Sequence, residues 1–194
     1  LLSAGEVNQD VPLWKKLSYS IGYSGGLCYT GRDLTPYCGY LFCYEVPLYI
    51  LNSIEAGVMY SLGNKEGIEV GVGYGWARIS PSKYVDWRFK IPILFLGYHM
   101  WIFTARIKCL FMYVKDRIQL SNELKCAEGK GIGLNAVFIC SVNKYIGIFL
   151  SLGSGVYNAK RYYSNHTSEF DINVSYNGVG IFVNYPFTSK GGVK

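Results

Sequence analysis

Ile68, Val70, Val72, Tyr74 and Trp76 are bulky and apolar, whereas the positions that alternate with them, Glu69, Gly71, Gly73, Gly75 and Ala77, are charged or small. A period of two belongs to an extended strand whose two faces meet different surroundings. The same alternation returns in Leu17 to Tyr23, Tyr40 to Ile50, Ile54 to Leu62, Trp87 to Phe95, Trp101 to Tyr113, Ile132 to Cys140 and Ile146 to Leu152, and finally from Phe170 to Phe187. Nothing longer than a helical turn around Gln119 to Leu124 competes with it. Turn residues such as Gly63-Asn64-Lys65-Glu66-Gly67 and Asn143-Lys144 separate consecutive segments. The expectation is an all-β chain folded as an antiparallel up-and-down meander.

Composition decides what surrounds the sheet. Half the residues are hydrophobic and 16% are charged, against about 25% charge in a typical soluble domain. No run approaches the ~18 to 20 apolar residues of a membrane helix, and the most apolar stretch, Ile91 to Phe103, is broken by Pro92, Gly97 and His99. A chain of this kind crosses a membrane as strands, and strands in lipid must close on themselves to pair every backbone group. The expected fold is therefore a closed transmembrane barrel, with bulky residues toward lipid and small or ionic ones toward the lumen. A soluble carrier with the opposite sidedness would expose Gly-rich faces that form strands poorly.

The last stretch bears on strand number. Its apolar residues move from even positions (Phe170, Ile172, Val174, Tyr176) to odd ones (Val179, Ile181, Val183, Tyr185, Phe187) across Asn177-Gly178. Asn-Gly accounts for that change either as a hairpin turn, giving ten strands, or as a bulge in one long strand, giving eight. Eight is preferred, because short connections then fall on the C-terminal side and longer ones opposite, as in outer-membrane barrels. The expected organisation is a lead-in over 1–16, a barrel over 17–187 and a tail over 188–194.

Seven charged residues fall on faces assigned to the lumen: Glu45, Glu55, Glu69, Arg88, Lys90, Arg106 and Lys108. Opposite charges in a narrow interior pair, since an unpaired buried charge is costly. The expectation is an ion network that plugs the lumen, with a selective pore as the alternative. Trp14, Trp76, Trp87, Trp101, Tyr113, Tyr145, Tyr157 and Tyr185 lie near segment ends, where aromatic girdles sit. The net charge of +6 is dispersed along the chain, which argues against nucleic acid and suits anionic lipid head groups. Six cysteines and two histidines form no metal-ligand spacing, so neither a metal nor another cofactor is expected; Cys28 and Cys38 could bridge the loop they flank.

Gly39 to Leu48 and Phe89 to Phe95, apolar segments with Pro47 and Pro92 inside them, resemble strands of small outer-membrane barrels common in Bacteroidota and of the OmpA-transmembrane kind. Tyr185 and Phe187 are similar to the aromatic end of the closing strand in such proteins. The resemblance implies an outer-membrane location, a structural or interaction role, and contact with outer-membrane lipid, lipopolysaccharide or protein partners of the envelope. Some barrels of this type are lipid A deacylases with an H-x-S motif. His166, Ser168 and Glu169 match that pattern in part, and make a lipid-modifying enzyme the alternative function.

Overall fold

The computed structural model describes residues 16–29, 48–63, 65–82, 85–118, 124–163, 167–175 and 177–187. They form β1 (Leu17–Tyr29), β2 (Leu48–Ser61), β3 (Glu66–Ser82), β4 (Val85–Met100), β5 (Phe103–Ile118), β6 (Leu124–Ser141), β7 (Ile146–Tyr163), β8 (Thr167–Ser175) and β9 (Asn177–Phe187). Each strand from β1 to β7 pairs antiparallel with the next. The near half of β7, Ile146 to Ser151, then pairs with β9, and the far half, Ser154 to Tyr162, with β8. Because β9 returns to β1, with Tyr19 opposite Phe187, the sheet has no open edge. β8 and β9 are two lengths of one stave, so the barrel is closed and eight-stranded.

Neither explanation expected for Asn177-Gly178 holds. Ser175 is opposite Ser154 and Gly178 is opposite Ser151. Both strands advance by the same number of residues, so the chain neither turns back nor inserts an extra residue. The apolar residues change parity for another reason, visible on the neighbouring strands. In the half of the barrel that holds Leu17 and Phe187, here the chain-end side, Val70, Val72, Leu94, Ile107 and Leu134 are exposed on the outer wall, while Glu55, Glu69, Arg106 and Lys108 are buried inside. In the other half the order is reversed: Arg78, Arg88, Lys115 and Lys130 are exposed outside, and Phe89, Ile91, Leu110 and Met112 are buried inside. The strands keep their register while their surroundings change from lipid to water.

Strand lengths agree with that division. Outward residues on β3 stay apolar from Ile68 to Trp76, close to the ~9–11 residues that a tilted strand needs to cross a bilayer. β3 runs to Ser82 and β6 and β7 are each 18 residues long, so these staves extend past the apolar band. The links β2–β3, β4–β5 and β6–β7 are on the side of Leu17 and Phe187. In one of them Trp101 takes a φ of 59°, which a bulky residue rarely adopts. Its N–H donates to the carbonyl of Lys65 at 2.8 Å, and the Lys65 ammonium lies 4.6 Å from its ring centroid.

An arginine placed in the middle of the apolar band should be costly. For Val72→Arg we expect a loss of about 2–4 kcal/mol in urea titrations of the barrel refolded into vesicles, with Lys130→Ala within about 0.5 kcal/mol of the parent.

Candidate functional site

The lumen holds the most concentrated chemistry among the described residues. β2 brings in Ser53 and Glu55, β3 brings Glu69 and β5 brings Arg106 and Lys108, all by simple inward alternation, and all are at least nine-tenths buried. Arg106 uses three nitrogens: Nε and Nη2 donate to the two oxygens of Glu69 at 2.9 and 3.0 Å, and Nη1 donates to Glu55 Oε2 at 3.0 Å. Lys108 Nζ donates to the other Glu55 oxygen, which also accepts from Ser53 Oγ at 2.7 Å. Ser24 on β1 hydrogen-bonds Ser53 at 2.7 Å, and Ser20 Oγ donates to Glu69 Oε1 at 3.4 Å. Two carboxylates and two cations therefore cancel, and their oxygens are taken up by donors from three strands, β1, β2 and β5.

Aromatic rings complete the layer. The Arg106 guanidinium carbon is 4.7 Å from the centroid of Phe95 and 4.7 Å from that of Phe182. A desolvated guanidinium over aromatic faces gains about 2 kcal/mol or more, and the rings also bar water from the ion pairs. Toward the chain-end side, Val137, Ile139 and Phe149 pack with Phe182; toward the loop side are Ile93, Leu110 and Met112. The ions thus form a thin polar layer between apolar ones.

Glycines make room for these groups. Gly97 is opposite both Glu69 and Arg106 in the sheet, and a Cβ on it would come within 3.0 Å of Arg106 Cγ. The two charged side chains meet across a strand that offers no side chain between them. At Gly71 a Cβ would lie 2.3 Å from the Phe95 ring, and at Gly57 it would lie 2.6 Å from Glu69 Oε1. The Gly-rich face of β3 is the surface against which Phe95 and Glu55 pack.

Of the residues expected in the lumen, Glu55, Glu69, Arg106 and Lys108 lie together there. Arg88 and Lys90 do not: both are exposed on the outer wall, and Phe89 and Ile91 occupy the inward positions of β4. A single inside-outside rule does not hold along the whole of β4, because the strand crosses the level where the outer wall changes from apolar to charged. Glu45 lies outside the described residues. The alternation sets Phe95 toward lipid together with Phe89, Ile91 and Ile93, whereas all four are buried inside the barrel; Ser24 and Ser53 are lumen residues outside the expected ion network. Phe182 had a signal, as the one bulky residue on an otherwise small or polar face of the last strand.

The expected catalytic cluster is not assembled among the described residues. His166 lies outside them, Ser168 is described only as a backbone position in β8, and Glu169 is exposed and paired with Lys160. Of the expected Cys28–Cys38 bridge, Cys28 is a backbone position of β1 and Cys38 lies outside the described residues, while Cys109 and Cys140 are free thiols. Of the aromatic residues, Trp101, Tyr145 and Tyr185 are exposed on the chain-end side, with Tyr145 and Tyr185 stacked at 6.4 Å between centroids. Trp76 and Tyr113 are exposed at the opposite margin of the apolar band. Tyr185 keeps its place in the closing strand, and Phe187 pairs with Tyr19.

A closed eight-stranded antiparallel barrel with an apolar outer band and an ionic lumen defines a class: it has the fold of the small outer-membrane β-barrels. No protein-family model and no curated protein sequence matches the chain. Solved structures do. The chain is similar in fold to Neisserial surface protein A, with a TM-score of 0.52 at 10% identity over 86% of this chain and 97% of that one. It is also similar to the attachment invasion locus protein of Yersinia pestis (0.50, 13%, 87% and 98%) and to the outer membrane protein OprG from Pseudomonas aeruginosa (0.50, 11%, 90% and 99%).

Removing Arg106 would leave two buried carboxylates with only one cation. Arg106→Met is expected to cost about 3–5 kcal/mol in the same vesicle refolding assay. Adding Glu69→Gln to that variant should recover a large part of the loss, because it removes the charge left without its partner.

Proposed function

We propose that this chain is an integral outer-membrane barrel whose lumen is plugged, and that it serves as a structural or interaction component of that membrane. The observation that carries the reading is Arg106, held by two carboxylates and covered by two rings. An ion passing through would have to break those hydrogen bonds and displace Phe95 and Phe182 together, in a barrel whose interior is just wide enough for side chains to fill. Breaking such a buried pair costs several kcal/mol, well above thermal energy. With the lumen closed, the surfaces left for function are the rims, the loops and the outer wall.

On this reading Trp101, Tyr145 and Tyr185 form one interfacial belt and Trp76 and Tyr113 the other. The cations beyond the second belt face the head groups of outer-membrane lipid or lipopolysaccharide, and the longer connections are available to protein partners of the envelope. The partly matched H-x-S pattern then has no catalytic role.

Planar-bilayer recording tests the plug. The wild-type protein is expected to give no steady single-channel conductance, and Arg106→Ala combined with Phe182→Ala is expected to give one. Steady wild-type channels would overturn the reading. Ser168→Ala is expected to leave the acylation of lipid A unchanged in cells that express the protein.

A further inference from the structure

Lys108 on β5 and Asn135 on β6 are directly opposite each other, and both are buried on the lumen face. Their hydrogen bonding is unequal. A lysine ammonium has three N–H donors, and among the described residues only Glu55 accepts from Lys108 Nζ. Asn135 is 5% exposed, and its Oδ1 is enclosed without a hydrogen-bond partner. A buried carbonyl oxygen in that state is costly, yet spare donors stand on the adjacent strand. The strand order explains why the two do not join. Glu55 is on β2, three strands from β5 in one direction, and Asn135 is on β6, the next strand in the other. The carboxylate draws the ammonium across the lumen and away from β6.

Small residues border the space behind it. Gly153 on β7 is opposite Asn135, with Ser151 and Gly155 at the inward positions on either side of it. The next inward position of β6 toward the loop side is Gly133. Apart from Asn135 and Ser151, this stretch of wall carries no side chain. Leu110 and Met112 close it on the loop side, where a Cβ on Gly155 would come within 2.9 Å of Met112 Cε. Val137, Ile139, Phe149 and Phe182 close it on the chain-end side. A small polar site sealed between apolar layers is where proteins hold internal water.

We propose that one water molecule is bound in the lumen between Lys108 and Asn135, accepting from Lys108 Nζ and donating to Asn135 Oδ1. The inference rests on the plugged-lumen reading above and deepens it: the polar layer then extends to β6, and Lys108 is held from both sides. The ligand must donate to one group and accept from the other. An anion only accepts, and the four ions around Arg106 already cancel; a cation would be repelled by Lys108. The other enclosed acceptor, Asn184 Oδ1, has Gly22 opposite it, so no donor faces it from that position.

Asn135→Leu in the full chain, refolded into vesicles and titrated with urea, gives the two possibilities opposite signs. Leucine is close to asparagine in shape and has no hydrogen-bonding group. Expelling a bound water takes an acceptor from Lys108, and the midpoint is expected to fall by roughly 0.5 M. Removing an acceptor that had no partner would instead raise the midpoint, and that result overturns the site. The same substitution is made in a Lys108→Met/Glu55→Gln chain, which has no ammonium for the water to bridge and no carboxylate left without its cation. There the midpoint is expected to hold or rise, whereas a fall of equal size in both chains marks a packing defect and also overturns the site. A crystal structure of the wild type that resolves ordered water needs no variant to fold. It is expected to show a solvent peak about 2.7–3.2 Å from both Nζ and Oδ1; a direct Lys108–Asn135 bond, or no peak between them, overturns the site. Steady wild-type channels in planar bilayers would remove the plugged-lumen reading, whereas a silent wild type without the peak removes the water site alone.

Discussion

Arg106 is the residue on which the interior depends. Taking a guanidinium out of water costs several kcal/mol even after relaxation, and the barrel offsets that cost with two carboxylates and two aromatic faces from four different strands. No single pair would suffice. Glu69 alone would leave Nη1 without an acceptor, and Glu55 alone would have to serve both Arg106 and Lys108. The shared arrangement also has a consequence for folding. β2 and β5 are not neighbours in the sheet, so the Glu55–Arg106 bond crosses the lumen and can form only when the wall between them has curved into place. A contact of this kind favours closure over an open sheet, which in lipid would leave unpaired backbone groups along its edges.

Around that layer the strand pattern changes meaning with depth. Beside the ions the outer wall is apolar and the lumen polar; beyond Trp76 and Tyr113 the wall is charged and the lumen is filled by Phe89, Ile91, Leu110 and Met112. The second half follows the rule of a water-soluble barrel and the first that of a membrane barrel, within the same continuous strands. Hydrogen bonding along the staves is indifferent to the change, since the backbone is paired in both halves. Only the side chains record where hydrocarbon ends.

That change explains what could and could not be read from the sequence. Period-two alternation marks most of the strands and, because polarity and direction are tightly linked in the lipid-facing half, the inward placement of Glu55, Glu69, Arg106 and Lys108, but it separates Tyr40–Ile50 from Ile54–Leu62 where β2 runs unbroken from Leu48 to Ser61; closure of the sheet follows from the need to pair every backbone group in lipid. Arg88 and Lys90 were assigned inward by the same logic and lie outside, because at their level the link runs the other way. The parity change at Asn177-Gly178 has the same origin: a familiar turn dipeptide drew attention to a local cause where the cause was the depth of the strand. Phe95 was hidden among the apolar residues of β4, and its role beside Arg106 depends on the empty position at Gly71, which no pattern within one strand can show.

With the lumen closed in this way, the outer wall beyond the apolar band carries the remaining charge, and there too the charges are met within the sheet. Lys160 pairs with Glu169 across β7 and β8, and Lys115 on β5 pairs with Glu128 on β6. The same backbone ladder thus carries ion pairs on its inner face beside the apolar band and on its outer face beyond it. These outer pairs are largely exposed and worth little each, whereas the buried set around Arg106 is the one whose loss the barrel would feel.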